Sequence, residues 1–219
     1  MNRRPLDSRN TRWAAYLSAR LASRDVTPNA ISQAGMGAAA VSGAAFWATA
    51  FSMGATTTIL LVLAALACQV RLLCNLLDGM VAIEGGKSTP DGPLWNEFPD
   101  RMSDILILMG VGLGTGAPAL GLAASLMAVL TAYTRELGTG IGLAPDFSGP
   151  MAKPHRMALI TGAALLAIFA PVWGVLQLAL WIVVLGGFGT AIRRAVRIRN
   201  RLLSGDDLRP ATRTENPTP

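Results

Sequence analysis

The chain has 219 residues, 52% of them hydrophobic and only 15% charged, with a mean hydropathy of +0.43; that balance excludes an ordinary soluble domain and points to one compact helical membrane protein. Lysine and arginine outnumber the acids 19 to 13 for a net charge of +6, but the basic residues gather around the ends of apolar segments, which accounts for the charge without nucleic acid. The two cysteines, Cys68 and Cys74, lie six apart on different sides of one predicted helix and suggest neither a disulfide nor a metal site.

The first 25 residues hold many arginines and no continuous apolar core, so no cleavable signal peptide is predicted. Within them, residues 10–24 read as an amphipathic helix. Trp13, Leu17 and Leu21 repeat every four residues with Tyr16 beside them, and Arg12, Arg20 and Arg24 line another side. Such a helix is expected to lie in the headgroup layer with its arginines toward anionic lipid; a solvated helix packed on the rest of the protein is the alternative. Thr27-Pro28-Asn29 then breaks the pattern and opens the next helix, since proline suits a first helical turn.

Residues 30–52, rich in Ala, Gly and Ser, are long enough to cross a hydrocarbon layer of about 30 Å at about 1.5 Å per residue. Gly35, Gly37 and Gly43 suit close helix packing. Five further apolar runs follow, at 56–83, 98–114, 117–137, 154–172 and 174–192. The fold class expected is an all-α integral membrane protein, six transmembrane helices preceded by an N-terminal amphipathic interfacial helix. The division is an arm at 1–27, a six-helix body at 28–202 and a polar, disordered tail at 203–219. The connections after the first, third and fifth spans carry no Lys or Arg, so the positive-inside rule puts both termini, and the ends of the second and third spans, on the cytoplasmic side.

Six of the thirteen acids fall between Asp78 and Asp104, inside or beside segments apolar enough for a bilayer. Carboxylates at membrane depth are costly and mark function by default. Asn75, Asp78, Gly79 and Ala82 are spaced i, i+3, i+4, i+7 and share a face, and Gly79 and Ala82 leave it shallow enough for a ligand. Asn96, Glu97, Asp100 and Asp104 share a face on the next span. Four carboxylates and two amides converging there would make an all-oxygen site for Mg²⁺ or Mn²⁺ beside a phosphate-bearing substrate. Otherwise the acids are surface residues paired with Arg71, Lys87 or Arg101; Asp91, in a Pro/Gly loop, reads that way.

The run Met151–Met157 opens the fifth span with Lys153, His155 and Arg156, and Arg135 ends the fourth span on the same side. Free N–H groups at a helix start attract phosphate, and Lys153, Arg156 and Arg135 add charge to such a site. Snorkelling anchors would look the same. Asn29 is a further candidate contact for a nucleotide.

The acidic stretch resembles the signature of the CDP-alcohol phosphotransferase family, D-x2-D-G-x2-A-R-x8-G-x3-D-x3-D. Asp78, Gly79 and Ala82 match its second Asp, its Gly and its Ala, and Asp100 and Asp104 match its D-x3-D end. The arm, the Pro28-Asn29 helix start and the six-span layout are also similar to that family. Asn75 stands at the first Asp and Ile83 at the Arg. Strict spacing would use Gly92, Asn96 and Asp100; a loop four residues longer uses Asp100 and Asp104 and keeps both carboxylates, and is preferred. Glu97, one turn before Asp100, would restore the charge missing at Asn75.

The resemblance implies a CDP-linked lipid donor such as CDP-diacylglycerol, with its diphosphate on Mg²⁺ or Mn²⁺ held by Asp78, Asp100 and Asp104, Asn75 and Glu97 assisting. Asp104 would take the proton from a small alcohol or alcohol-phosphate acceptor, and CMP would leave. Gly79 and Ala82 would admit the nucleotide. The implied setting is a bacterial-type inner membrane, as a homodimer among membrane lipids. A diverged relative that binds without turnover and a small cation transporter are the other readings.

Overall fold

The computed structural model describes residues 11–84, 86, 90–170 and 174–204. All the regular structure among them is helical, in the order α1 (Arg12–Ser23), α2 (Pro28–Ala48), a short 3-10 turn (Thr49–Phe51), α3 (Ala55–Glu84), α4 (Gly92–Gly114), α5 (Pro118–Gly140), α6 (Lys153–Phe169) and α7 (Val175–Ser204). Each apolar run of the sequence has its helix, and two are longer than hydropathy alone suggests. α4 begins at Gly92 rather than 98, with proline in its first turn. α7 continues past 192 because the following segment is rich in arginine and leucine, good helix formers without a Gly or Pro before Gly205. The predicted tail therefore begins inside α7, and 205–219 lies outside the described residues.

α2 is wedged between α3 and α4, α5 packs on α4 and α7, α6 on α3 and α7, and α1 on α3. Glycine sets the α2–α4 distance. A Cβ on Gly43 would stand 2.3 Å from the Leu106 carbonyl oxygen, and one on Gly110 would stand 2.2 Å from that of Gly43. With little hydrophobic drive between helices in lipid, such close backbone approach is a main source of association. Inter-helix hydrogen bonds add to it: Ser42 Oγ donates to the Ala64 carbonyl (2.8 Å) and Gln69 Nε2 to Thr161 Oγ1 (2.8 Å). Phe46, Ile107, Leu108, Val111, Met157 and Leu180 belong to one continuous buried cluster.

The outside is apolar. Phe51, Leu126, Phe169 and Leu185 are all more than half exposed, as lipid-facing residues are. Among the described residues, three helices are long and apolar enough to cross a membrane, at Pro28–Phe51, Ala55–Ile83 and Val175–Ser204. The protein is an integral membrane protein of all-helical fold. In α1 the expected apolar stripe divides: Leu17 and Leu21 pack against Ile31, Leu77 and Val81, whereas Trp13 and Tyr16 point outward. Packing on α3 decides which part of the stripe turns in.

Candidate active site

α3 carries Arg71, Asn75 and Asp78 at i, i+4 and i+7, so one face presents all three. α4 carries Asp100 and Asp104 one turn apart, just after Pro99, which lies inside the helix. Proline there removes the N–H that would bond the Trp95 carbonyl and loosens the turn that presents Asp100. Ser103 Oγ donates to the Pro99 carbonyl at 2.7 Å and steadies the next turn. α6 opens with Lys153 and brings Arg156 round on the same face.

The segment before α6 is pinned. Gly149, at φ 129°, sits against Thr190, where a Cβ would come within 2.4 Å of the threonine methyl. Met151 N–H donates to Thr190 Oγ1 at 3.1 Å. Ser148 N–H and Arg197 both donate to the Asp146 carboxylate. Burial pushes the Asp146 carboxyl up, but those hydrogen bonds and the Arg197 charge outweigh it and hold the group below the usual carboxylate range.

Asp100 is the hub. Arg71 and Lys153 contact it directly, Asn75 Nδ2 donates to it at 3.2 Å, and Arg101 lies 3.6 Å away. Asp104 is fully buried and accepts from Arg156 Nη2 at 2.6 Å. Arg156, 2% exposed, also donates to the Met151 carbonyl (2.9 Å) and Thr131 Oγ1 (3.3 Å). Asp78 accepts from Ser32 Oγ on α2 at 2.7 Å and from Gly79 N–H at 2.6 Å, and lies within electrostatic reach of Asp100 and Lys153. Three carboxylates and three cations thus interleave between α3, α4 and α6.

This corrects the expected all-oxygen cluster. Among the described residues, no three Asp, Glu, His or Cys side chains stand close enough to form a ready metal centre. Burial explains it: bare carboxylates could not crowd together there without counter-charge. Arg71, expected only as the partner of a surface acid, is instead buried on Asp100; an arginine deep in an apolar run is the sequence signal for it. Lys153 and Arg156 meet the acids themselves.

Glu97 turns away to Arg135 and lies 3.7 Å from Arg101, so it does not join Asp78. Arg135 is further taken up by Glu136 and by the face of Phe147, 5.5 Å from its ring centre, rather than facing the acids. Asn29 donates to Asp91 at 3.3 Å, as does the Trp95 indole at 3.0 Å, which ties the start of α2 to the start of α4. Gly79 and Ala82 are partly exposed on α3, and His155 is exposed. The side chains of Glu84 and Asn96, and all of Lys87, lie outside the described residues.

The donors suit a hard divalent ion in kind: the Asp78, Asp100 and Asp104 carboxylates and the Asn75 amide are all oxygen ligands. Asp104 Oδ1 is moreover a buried carboxylate oxygen with no hydrogen-bond partner among the described residues. A buried anionic oxygen left bare is unusual and has room for a ligand or proton.

A many-helix membrane bundle with interleaved acids and bases near the loop ends of two helices defines a membrane-embedded protein built for a charged ligand. No family model matches the chain. It is 28% identical over 196 residues to the phosphatidylinositol phosphate synthase of Mycolicibacterium smegmatis, covering 85% of this chain and 83% of that one. It is 30% identical over 155 residues to the protein of that name from Streptomyces avermitilis (65% and 62%), and 33% identical over 131 residues to the inner membrane protein YnbA of Escherichia coli (59% and 65%). Among solved structures it matches the Mycobacterium tuberculosis phosphatidylinositol phosphate synthase with CDP-DAG bound, at a TM-score of 0.72 and 19% identity over 86% of this chain and 94% of that one. The same enzyme in complex with manganese and citrate matches at 0.71, also at 19% identity. At that identity the structural likeness is one of fold. The Asp78-Gly79-Ala82 and Asp100–Asp104 pattern and these relatives make the chain similar to the CDP-alcohol phosphotransferases.

Proposed function

We propose that the protein transfers a phosphatidyl group from a CDP-linked lipid, CDP-diacylglycerol above all, to the hydroxyl of a small alcohol or alcohol phosphate, releasing CMP. The observation that carries this is the Arg71–Asp100–Lys153 and Asp104–Arg156 cluster, on a fold shared with a synthase solved with CDP-DAG bound.

In the free protein, Arg71 and Lys153 are held by Asp100. The donor's diphosphate competes for both cations, with the free N–H groups at the start of α6 beside Lys153 adding to the attraction. Asp100 is released as they turn to phosphate. Arg156 holds one oxygen of Asp104, which keeps that carboxylate charged and fixed; its other oxygen, Oδ1, takes the acceptor's proton. The acceptor oxygen bonds to the lipid-bearing phosphorus, the bond from that phosphorus to the bridging oxygen breaks, and CMP departs with the electron pair. A bound Mg²⁺ or Mn²⁺, held by Asp78, Asp100, Asp104 and the Asn75 amide oxygen, supplies charge neutralisation and polarises the phosphorus. Gly79 and Ala82 give the nucleotide close access to α3, and Asn29 borders that entry.

The same reading has six spans, α2 to α7, after an interfacial α1, as a body at 28–202 between an arm and a tail. Both termini and the site lie on the cytoplasmic side of a bacterial-type inner membrane, and the protein works as a homodimer. Asp78 and Asp100 lie within about two turns of the α3 and α4 ends that face each other, whereas a cation transporter would centre its site at the bilayer midplane.

The test is metal-dependent CMP release from CDP-diacylglycerol by the purified protein across a panel of alcohols and alcohol phosphates. Asp100→Asn and Asp104→Asn should each abolish release in protein that still folds; near-native rates in either would overturn the roles of these two carboxylates. Asn75 and Ile83 favour the second reading, a relative that binds the donor without turnover. It predicts CDP-diacylglycerol binding and no CMP with any acceptor.

A further inference from the structure

The last turns of α7 are not used by the chemistry above. The uncharged stretch 175–192 is about 27 Å long at about 1.5 Å per residue, close to the hydrocarbon thickness of about 30 Å. Arg193–Ser204 therefore stands at headgroup level. There arginine alternates with apolar residues that stay exposed: Val196 at 49%, Leu202 at 44% and Leu203 at 72%. Such a basic amphipathic end belongs at a lipid interface.

At this level α5 and α7 line an open groove of about 320 Å³. Leu137, Ile198, Leu202 and Leu203 wall it, and Thr134 and Arg199 are its polar groups. A smaller hollow shares Thr134 and Ile198 with it and is edged by Arg201. Arg135 and Arg197 nearby are engaged by Glu97 and Asp146. Arg199 and Arg201 have no acid partner among the described residues.

An apolar hollow at headgroup depth, with guanidinium groups at its edge that meet no acid among the described residues, matches one chemistry. We infer that the α5–α7 groove binds one anionic glycerophospholipid, its glycerol and upper acyl chain against Leu137, Ile198 and Leu202 and its phosphate on Arg199, with Arg201 adjoining. Basic pockets between membrane helices hold anionic headgroups in this way. A free anion would gain nothing from the apolar walls, and a zwitterionic lipid would gain little from the two arginines. The groove shares no residue with the Asp78, Asp100 and Asp104 site, so it is a second lipid site rather than the donor's.

The experiment is native mass spectrometry of the full-length protein in detergent, with dioleoylphosphatidylglycerol or dioleoylphosphatidylcholine added. The two lipids share acyl chains and differ in charge. The expected result is one retained phosphatidylglycerol adduct and markedly less phosphatidylcholine. Arg199→Gln should weaken the adduct about fivefold. Ala195→Trp, which fills the groove without touching a charge, should abolish it. Equal retention of both lipids, or unchanged adducts in both variants, would overturn the inference. Loss in Arg199→Gln with full retention in Ala195→Trp would do so too, because binding would then be surface charge alone. Displacement by inorganic phosphate would reassign the site to free anions, and displacement by equimolar CDP-diacylglycerol would reassign it to the donor. CMP release tests the enzyme reading separately and does not bear on this result.

Discussion

Replacing Arg156 with methionine tests the centre of the site. The side chain is 2% exposed and its partner Asp104 is fully buried. Arg156→Met keeps most of the volume but deletes the bonds to Asp104 (2.6 Å), the Met151 carbonyl (2.9 Å) and Thr131 (3.3 Å). The larger effect is what remains: a carboxylate in the interior stripped of its one ion-pair partner, with Arg101, Arg71 and Lys153 acting on it only through space. Removing one partner of a buried pair costs about 3–5 kcal/mol, a large share of the about 5–15 kcal/mol that holds a typical domain together. The assay is equilibrium unfolding in mixed micelles titrated with SDS, followed by tryptophan fluorescence. Adding Asp104→Leu to Arg156→Met removes the stranded charge and should recover most of the loss, since buried pairs often exchange for apolar residues at little cost. That double variant should regain stability and remain inactive, which separates the structural role of the pair from its chemical one. A loss below about 1 kcal/mol in the single variant would mean that Asp104 is hydrated or protonated, and the site built around it would have to be redrawn.

Three further changes have defined outcomes. Gly43→Val should prevent stable packing of α2 on α4, because its Cβ would stand 2.3 Å from the Leu106 carbonyl oxygen, a backbone atom that cannot swing aside; a monodisperse, heat-stable variant on size exclusion would contradict this. Asp146→Asn should lower the melting temperature at neutral pH but not in acid. The Asp146 carboxyl is depressed in the folded protein, so its contribution is present above its unfolded value of about 3.9 and is lost as pH falls through the lower folded value. A melting difference that persists unchanged to the lowest pH would sink that assignment. Asn75→Asp should tighten Mn²⁺ binding, read by titration of the metal's paramagnetic signal, and lower stability without metal.

The bundle was readable because hydropathy reports membrane burial directly, and each apolar run became a helix. The ends were less readable, since α4 and α7 continue into polar sequence where lipid no longer dictates composition. Which residues of α3 and α4 share a face also followed from spacing, as Arg71, Asn75 and Asp78 illustrate. What each side chain meets did not. Asp78 turns to Ser32, and Glu97 turns to Arg135, because α2 and α5 offer partners that no spacing within α3 or α4 can reveal. Lys153 and Arg156 reach the acids from α6, more than 45 residues further along the chain.

The interleaving of charges also explains the sign of the Asn75 prediction. Asp78, Asp100 and Asp104 stand against Arg71, Lys153 and Arg156, and Arg101, 3.6 Å from Asp100, is balanced by Glu97 at 3.7 Å, so the free site is close to neutral, as a cluster removed from water must be. A divalent ion and a diphosphate entering together bring two charges of each sign and leave that balance intact. Asn75 already touches Asp100 through its amide. A carboxylate in its place would set a like charge against Asp100, with Arg71 and Lys153 already spent on that neighbour and Arg101 shared between it and Glu97. The free protein would carry one uncompensated negative charge, which costs stability, and a divalent cation would relieve it, which raises affinity. Both effects have one cause and should appear together: Asn75→Asp should lose stability without metal and regain it with Mn²⁺. Tighter Mn²⁺ binding with no loss of metal-free stability would mean that position 75 is hydrated and stands apart from the cluster.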